Sequence, residues 1–187
     1  TVPEAFILLD IPGAKPRTGN IEPIWIKKGQ AVVFGSSEHN SDDLVVALTK
    51  PLPALDENYQ HNFSVNDGQY LFDTLSVEDS YIVGRSRGDF LLLPRKGVNL
   101  PGSVYSETLQ LQICCDFIDS VADLDVNGFG LSFIQSGNVV DTLRKVAKDK
   151  VLVSKIENSE GLKNASSIVA RSDAVMIDRG DLAAEIG

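Results

Sequence analysis

Three apolar runs recur at nearly constant spacing in the last third of the chain, and this repeat is the strongest constraint on its fold. They start at Phe129, Val151 and Ala174, 22 and 23 residues apart. The first is followed by Asn138–Lys150, where Val139, Val140, Leu143, Val146 and Ala147 fall on one helical stripe. Asn138 suits the N-cap of that helix, and Lys145, Lys148 and Lys150 favour its C-terminal end. The second run is followed by Glu160–Arg171, a helix expected to turn Leu162, Ala165, Ile168 and Val169 inward. Strand–helix units of this length build parallel βαβ structure. Near the start, Ala5–Asp10 is a continuous apolar run ending in a carboxylate, as in a strand buried on both faces.

Residues from about 20 to 98 have a different texture. Short apolar runs recur at Pro23–Ile26, Ala31–Phe34, Leu44–Leu48, Tyr70–Leu71, Tyr81–Val83 and Phe90–Leu93. Turn residues separate them, notably Lys28-Gly29, Asn66-Asp67-Gly68 and Arg87-Gly88-Asp89. This spacing predicts compact antiparallel β structure, a small barrel or sandwich. The expected organisation is therefore α/β in three segments. Residues 1–19 form a strand and a loop, 20–98 an inserted all-β domain, and 99–187 three further βα units. With 187 residues the chain falls short of the roughly 250 of a complete (β/α)8 barrel. About four of eight strands can be placed, so the expectation is a partial TIM barrel.

A formal net charge of −9 argues against a nucleic-acid partner, because an acidic surface repels a phosphate backbone. It leaves small phosphorylated substrates open, since local cations decide their binding. No apolar run approaches the ~18 residues of a membrane span, and no membrane association is expected. The cysteines, Cys114 and Cys115, are adjacent, which gives neither a disulfide staple nor a zinc spacing. Reduced thiols imply the cytosol. The chain lacks an initiator methionine, so an organellar leader on a longer parent stays open. Asn62-Phe63-Ser64 and Asn164-Ala165-Ser166 are chance sequon matches in a non-secreted chain, and His39 and His61 read as surface residues.

Polar residues pile up where the parallel strands end. The first ends at Asp10, with Lys15 and Arg17 soon after; the next carries Ser132; the third reads Ser154-Lys155-Ile156-Glu157-Asn158; the last runs into Asp178-Arg179-Gly180-Asp181. In a parallel βα fold the C-terminal strand ends carry chemistry. Lys155 and Glu157, two apart on an extended chain, share one side. Glu157 and Asp181 come from neighbouring strand ends, and two carboxylates with open positions suit Mg2+ or Mn2+. Gly180 lets its backbone N–H approach an anion closely. A hard cation beside a lysine stabilises a phosphoryl group or an enolate. The same lysine and carboxylate could equally be only a salt bridge at a barrel rim. Arg179-Gly180-Asp181 follows directly on an expected buried strand, which argues against an adhesion tripeptide, and Lys96, next to Gly97, could reach a phosphate or simply be solvated.

These residues also carry a resemblance. Ser154-Lys155-Ile156-Glu157-Asn158-Ser159-Glu160-Gly161 resembles the signature around the catalytic lysine of pyruvate kinases. Ala174 through Leu182 resembles that family's next strand and metal-binding loop, and Lys96-Gly97-Val98-Asn99-Leu100-Pro101-Gly102 the exit from its lid domain. Leu9-Asp10 through Arg17-Thr18-Gly19 resembles the entry to that lid, and Asn66-Asp67-Gly68 its Asp-Asp-Gly turn. The motifs stand in family order across nearly the whole chain. The resemblance implies phosphoryl transfer from phosphoenolpyruvate to ADP, giving pyruvate and ATP. It implies that Glu157 and Asp181 bind Mg2+ or Mn2+, and that Lys155 faces the transferring phosphoryl group and the enolate oxygen. The Gly180 and Asp181 amides would hold the substrate carboxylate, with Ser132 in the substrate and monovalent-cation neighbourhood. Arg17, also a catalytic candidate, and Lys96 would contact nucleotide phosphates as the lid closes. The full-length parent is expected to be a cytosolic homotetramer.

The departures from the family are specific. Lys15 stands where the family has Glu, which resembles potassium-independent members: a tethered ammonium can replace K+ near Asp10. Ile11, Pro12, Ala14 and Pro16 replace Thr, Lys, Pro and an aliphatic residue of the same loop. Asp178 replaces Ala or Gly before Arg-Gly-Asp and adds a negative charge near the metal, and Gln135 replaces the Arg after Ser-Phe-Ile. An isolated chain of four strands is expected to be inactive, because it lacks the family's other barrel strands. Two alternatives stay open: a non-catalytic paralogue, and another lyase that stabilises a metal-bound enolate on a TIM barrel. The lid and the Lys96–Gly102 motif weigh against the lyase.

Overall fold

A computed structural model describes residues 5–35, 44–56 and 59–186. Along the chain run β1 (Leu8–Ile11), β2 (Ile24–Ile26), β3 (Ala31–Gly35), β4 (Leu44–Ala47), β5 (Phe63–Val65) and β6 (Tyr70–Val77). Then come β7 (Tyr81–Ser86), β8 (Phe90–Leu92), β9 (Val98–Asn99), α1 (Glu107–Ser120), β10 (Gly128–Leu131) and α2 (Gly137–Ala147). The chain closes with β11 (Val151–Ile156), α3 (Ser159–Lys163), α4 (Ala165–Val169), β12 (Ala174–Ile177) and α5 (Arg179–Ile186). Two compact units result: Thr1–Ala14 with Tyr105–Leu182, and Lys15–Val104 with Ala183–Gly187. His39 lies outside the described residues. Among those residues no helix is long and apolar enough to cross a membrane.

The first unit is built on a parallel sheet in the order β1-β10-β11-β12. Register pairs Asp10 with Gly130, Gly130 with Val153, and Lys155 with Met176, so alternate residues share a face. One face is the core. Ile11, Phe129, Leu131, Leu152 and Ile156 pack there against Cys114 and Ile118 of α1, Val139, Val140 and Leu143 of α2, and Ile168 of α4. The other face carries Asp10 and Lys155 toward the strand ends.

The helices depart from the sequence expectation in three ways. Helix α1 was not anticipated: its buried stripe, Gln110, Cys114 and Ile118, begins with a polar residue. Gln110 is satisfied there, accepting from the Ala14 N–H at 2.8 Å and donating to Cys114 Sγ at 3.2 Å. The N-cap of α2 is Ser136 rather than Asn138. The helix expected over Glu160–Arg171 breaks at Asn164, whose Nδ2 turns to Gln135 O (2.9 Å) and Glu160 Oε1 (3.0 Å). The break shifts the helical phase, so Gly161 and Ile168 are buried while Leu162 and Val169 are 47% and 56% exposed.

The second unit has a six-stranded sheet in the order β4-β3-β7-β6-β5-β9 and a separate β2–β8 ribbon. Its centre is aromatic: Phe34 meets Phe63 edge-on at 5.4 Å, and Phe63 stacks on Phe72 at 5.1 Å. Gly84 makes room for these rings. The Asn66-Asp67-Gly68 turn joins β5 to β6 with all three residues left-handed, at φ of 60°, 54° and 84°. The expectation of purely antiparallel pairing is corrected at one place, because β4 runs parallel to β3. Apolar runs as short as these carry no direction, so the sequence could not distinguish the two pairings.

Candidate active site

Three successive parallel strands end on one another's polar residues. Lys155, on β11, projects from the face opposite the helices, and its Nζ lies 3.2 Å from Asp10 Oδ2, 3.2 Å from Glu157 Oε1 and 3.2 Å from Ser132 Oγ. Ser132 also reaches Asp10 Oδ1 at 3.5 Å. The i,i+2 geometry of an extended chain supplies the Lys155–Glu157 contact; the parallel register supplies Asp10 and Ser132.

Burial separates the roles of these groups. The Glu157 side chain is 1% exposed, Lys155 11% and Asp10 64%. Burial works against the Lys155 ammonium, but the Glu157 carboxylate and then Asp10 outweigh it, and its pKa stands above the usual lysine value. For Glu157 the balance runs the other way. Burial raises its pKa to about 7 despite Lys155 and the Phe133 N–H, and the charge of Asp181 adds to the rise. Burial thus outweighs the ammonium and the amide that favour the ionised form.

The groups around Glu157 fit a cation. Glu157, Asp178 and Asp181 each offer a carboxylate oxygen, and these atoms lie within 4.8 Å of one another. Three oxygen donors with no sulfur or imidazole suit a hard divalent ion such as Mg2+ or Mn2+. Asp178 precedes α5, and the residues expected in a loop, Arg179 to Asp181, form that helix's first turn. Asp178 Oδ1 accepts from the N–H groups of Gly180 (3.2 Å) and Asp181 (3.5 Å). The two amides expected to hold a substrate carboxylate thus already hold a carboxylate of the chain itself.

Two features of this site were not read from the sequence. The Phe133 N–H donates to Glu157 Oε2 at 2.6 Å, and Phe133 has a positive φ of 55°. The run Phe129–Ile134 reads as one strand, but β10 ends at Leu131 and the chain turns there. The second is a set of buried amides around Gln135 and Asn158; only the position of Asn158 beside Glu157 could have signalled it.

The remaining candidates lie in the second unit. Arg17 and Lys96 sit on paired segments: the Thr18 N–H donates to Lys96 O at 2.8 Å, the Lys96 N–H to Thr18 Oγ1 at 2.8 Å, and Arg17 Nη1 to Arg95 O at 3.2 Å. Arg17 is exposed and Lys96 half-buried, on the segment entering this unit and the segment leaving it. Lys15 is buried beside Gly97. His61 is exposed and meets the Tyr59 ring at 5.5 Å.

Comparison with known proteins identifies the family. The sequence model of the family described as "Pyruvate kinase, barrel domain" matches residues 2–187. A cytosolic pyruvate kinase of Nicotiana tabacum is 31% identical over 191 residues, covering 96% of this chain and 38% of that protein. The pyruvate kinase of Thermotoga maritima is 27% identical, with 96% of this chain and 40% of that protein covered. A crystal structure of a pyruvate kinase from Cryptosporidium parvum superposes with a TM-score of 0.77 at 28% identity, covering 97% of this chain and 40% of the other. This chain thus spans well under half the length of these relatives. The fold is a partial (β/α)8 barrel carrying an inserted β-rich domain. With the match running over nearly every residue, and the lysine and carboxylates meeting at the ends of the parallel strands, the chain belongs to the pyruvate kinase family.

Proposed function

We propose that the full-length protein carrying this chain transfers the phosphoryl group of phosphoenolpyruvate to ADP, giving pyruvate and ATP. One observation carries this reading: the Lys155 ammonium, held by Asp10, Glu157 and Ser132, beside three convergent carboxylates. Glu157 and Asp181 would hold Mg2+ or Mn2+, with Asp178 within reach. That ion, when bound, neutralises charge on the phosphoryl and enolate oxygens. Lys155 stays protonated and places a fixed positive charge against the same oxygens, where partial burial strengthens it. Ser132 and Asp10 orient the ammonium. The Gly180 and Asp181 amides would receive the substrate carboxylate, which requires Asp178 to leave them. Arg17 and Lys96 would contact the nucleotide phosphates.

Lys15 is proposed to replace K+, which makes the reaction potassium-independent. The parent is proposed to be a cytosolic homotetramer that binds no nucleic acid, and this 187-residue chain alone to be inactive. A second reading, a non-catalytic paralogue, is favoured by one observation: Asp178 occupies the amides that the substrate needs.

The test is pyruvate formation by the full-length protein with phosphoenolpyruvate, ADP and Mg2+, with and without K+. Turnover that ignores K+ is expected. Turnover that demands K+ would keep the activity and overturn the role of Lys15. A folded protein with no turnover under either condition would leave the non-catalytic reading.

A further inference from the structure

We propose that Gln135 is a positioning residue for the Glu157 carboxylate, an inference that rests on the reading of Glu157 as a cation ligand. Gln135 lies in the turn after β10 and is 4% exposed. Both ends of its amide are engaged. Oε1 accepts from the Tyr105 N–H at 2.9 Å and from Asn158 Nδ2 at 2.9 Å, and Nε2 donates to Tyr105 O at 2.7 Å. Asn158 directly follows Glu157, and its Oδ1 accepts from the Gly161 N–H at 2.8 Å. Both ends of the Asn158 side chain are therefore fixed.

A second tie runs beside the first. Glu157 Oε2 accepts from the Phe133 N–H at 2.6 Å, two residues before Gln135. Residues 133–135 and 157–158 are thus joined by a main-chain-to-carboxylate bond and an amide-to-amide bond. The backbone between the ties is strained, because Phe133 is left-handed, and such strain persists only where the surroundings over-determine it. Packing closes the arrangement: a Cβ on Gly161 would stand 2.5 Å from Ile134 O, so the two turns meet without space for a side chain.

The residue type matters. The family resemblance leads one to expect arginine at this position. Arginine has donors only and could not accept from Tyr105 N–H or Asn158 Nδ2. Glutamine does both jobs, so restoring the family residue would undo the clamp in this chain rather than repair it.

The experiment is Mn2+ titration of the full-length protein, with bound ion followed by electron paramagnetic resonance and folding by circular dichroism. Wild type is compared with Gln135→Met, Gln135→Arg and Asn158→Ser. Serine can still cap α3 but cannot reach Gln135, so Asn158→Ser cuts the clamp from the other side if the Gln135 variants do not fold. Groups that orient metal ligands are worth about 10- to 100-fold in affinity. A weakening of at least about tenfold is expected for each folded variant, and a Gln135→Met/Asn158→Ser double variant should lose little more than either alone. Wild-type Mn2+ affinity in folded Asn158→Ser would overturn the proposal. Wild type that binds no Mn2+, or binds it undiminished after Glu157→Gln, would overturn the cation reading beneath it, a distinct result.

Discussion

Replacing Glu157 with glutamine tests the electrostatics of the site apart from any turnover. In the metal-free protein, burial raises the Glu157 pKa from its ordinary 4.5 to about 7. At about 1.4 kcal/mol per tenfold, that move corresponds to about 3 kcal/mol between the two protonation states. With 1% of the side chain exposed, solvent screening takes little from it. The sign follows from proton counting. Between pH 4.5 and 7 the unfolded chain has released this proton and the folded chain keeps it, so stability falls as pH rises. The contribution is complete below pH 4.5 and is lost as pH passes through about 7. Glutamine has no proton to lose, so the difference in unfolding free energy between wild type and Glu157→Gln should change by about 3 kcal/mol across that window. In midpoint temperature this is roughly 6 to 12 °C for a protein of this size. The assay is denaturation of both proteins from pH 4 to 8 in chelator, then with excess Mn2+. Because the ion binds the ionised carboxylate, Mn2+ should restore wild-type stability at pH 8 and leave the variant unchanged. A flat difference curve, or one rising with pH, would refute the reasoning.

Three further outcomes follow from single contacts. Gly84→Ala places a Cβ 2.4 Å from Phe63 Cζ and 2.9 Å from Phe72 Cβ, against two buried rings; a loss of about 1 to 3 kcal/mol is expected on denaturation, and a change below about 0.5 would contradict the packing. Asp178→Ala frees the Gly180 and Asp181 amides and removes a negative charge; at about 1 kcal/mol the KM for phosphoenolpyruvate in the full-length protein should fall about fivefold, and an unchanged or higher KM would show that the contact does not compete with substrate. Asp173 accepts from the Leu152 N–H at 2.8 Å and from Arg144 Nη2 at 2.6 Å, and the amide first, then the guanidinium, hold its pKa below the usual value. Its contribution is present above the unfolded carboxylate pKa and lost as pH falls through the folded one, so Asp173→Asn should flatten the acid limb of the stability curve; an identical limb would count against the bond.

What could be read without coordinates follows from how local each signal is. Strands β11 and β12 lie where the sequence places them, because a short apolar run between turn residues needs no partner to be recognised. Helix α1 was hidden because Gln110 heads its buried stripe, and a glutamine is counted as surface until its two partners, Ala14 and Cys114, are known. One helical phase extended across Asn164 turns Leu162 inward. The break depends on the Asn164 side chain reaching Gln135 O, 29 residues away in sequence, and no local period reports that.

The site divides along the same line. Lys155 and Glu157 meet because they are two apart on a strand, and this was legible; whether burial or the ammonium governs the Glu157 proton depends on distances to groups up to 24 residues away, and it was not. Two of the departures from the family show why residue type alone misleads here. Read as chemistry in a string, Gln135 is a lost positive charge and Asp178 an added negative one, and both argue for a weakened site. In the folded chain Gln135 is a neutral clamp whose acceptor oxygen no arginine could supply. Asp178 Oδ1 accepts from the α5 amides, and an oxygen of the same carboxylate lies within 4.8 Å of those offered by Glu157 and Asp181. The first substitution preserves the position of the carboxylate that the cation would need, while the second competes for the amides that the substrate would need. Gln135 is thus expected to act on metal affinity alone, and Asp178 on the substrate amides as well as the cation site, so measuring the two affinities separately reveals which departure governs the activity.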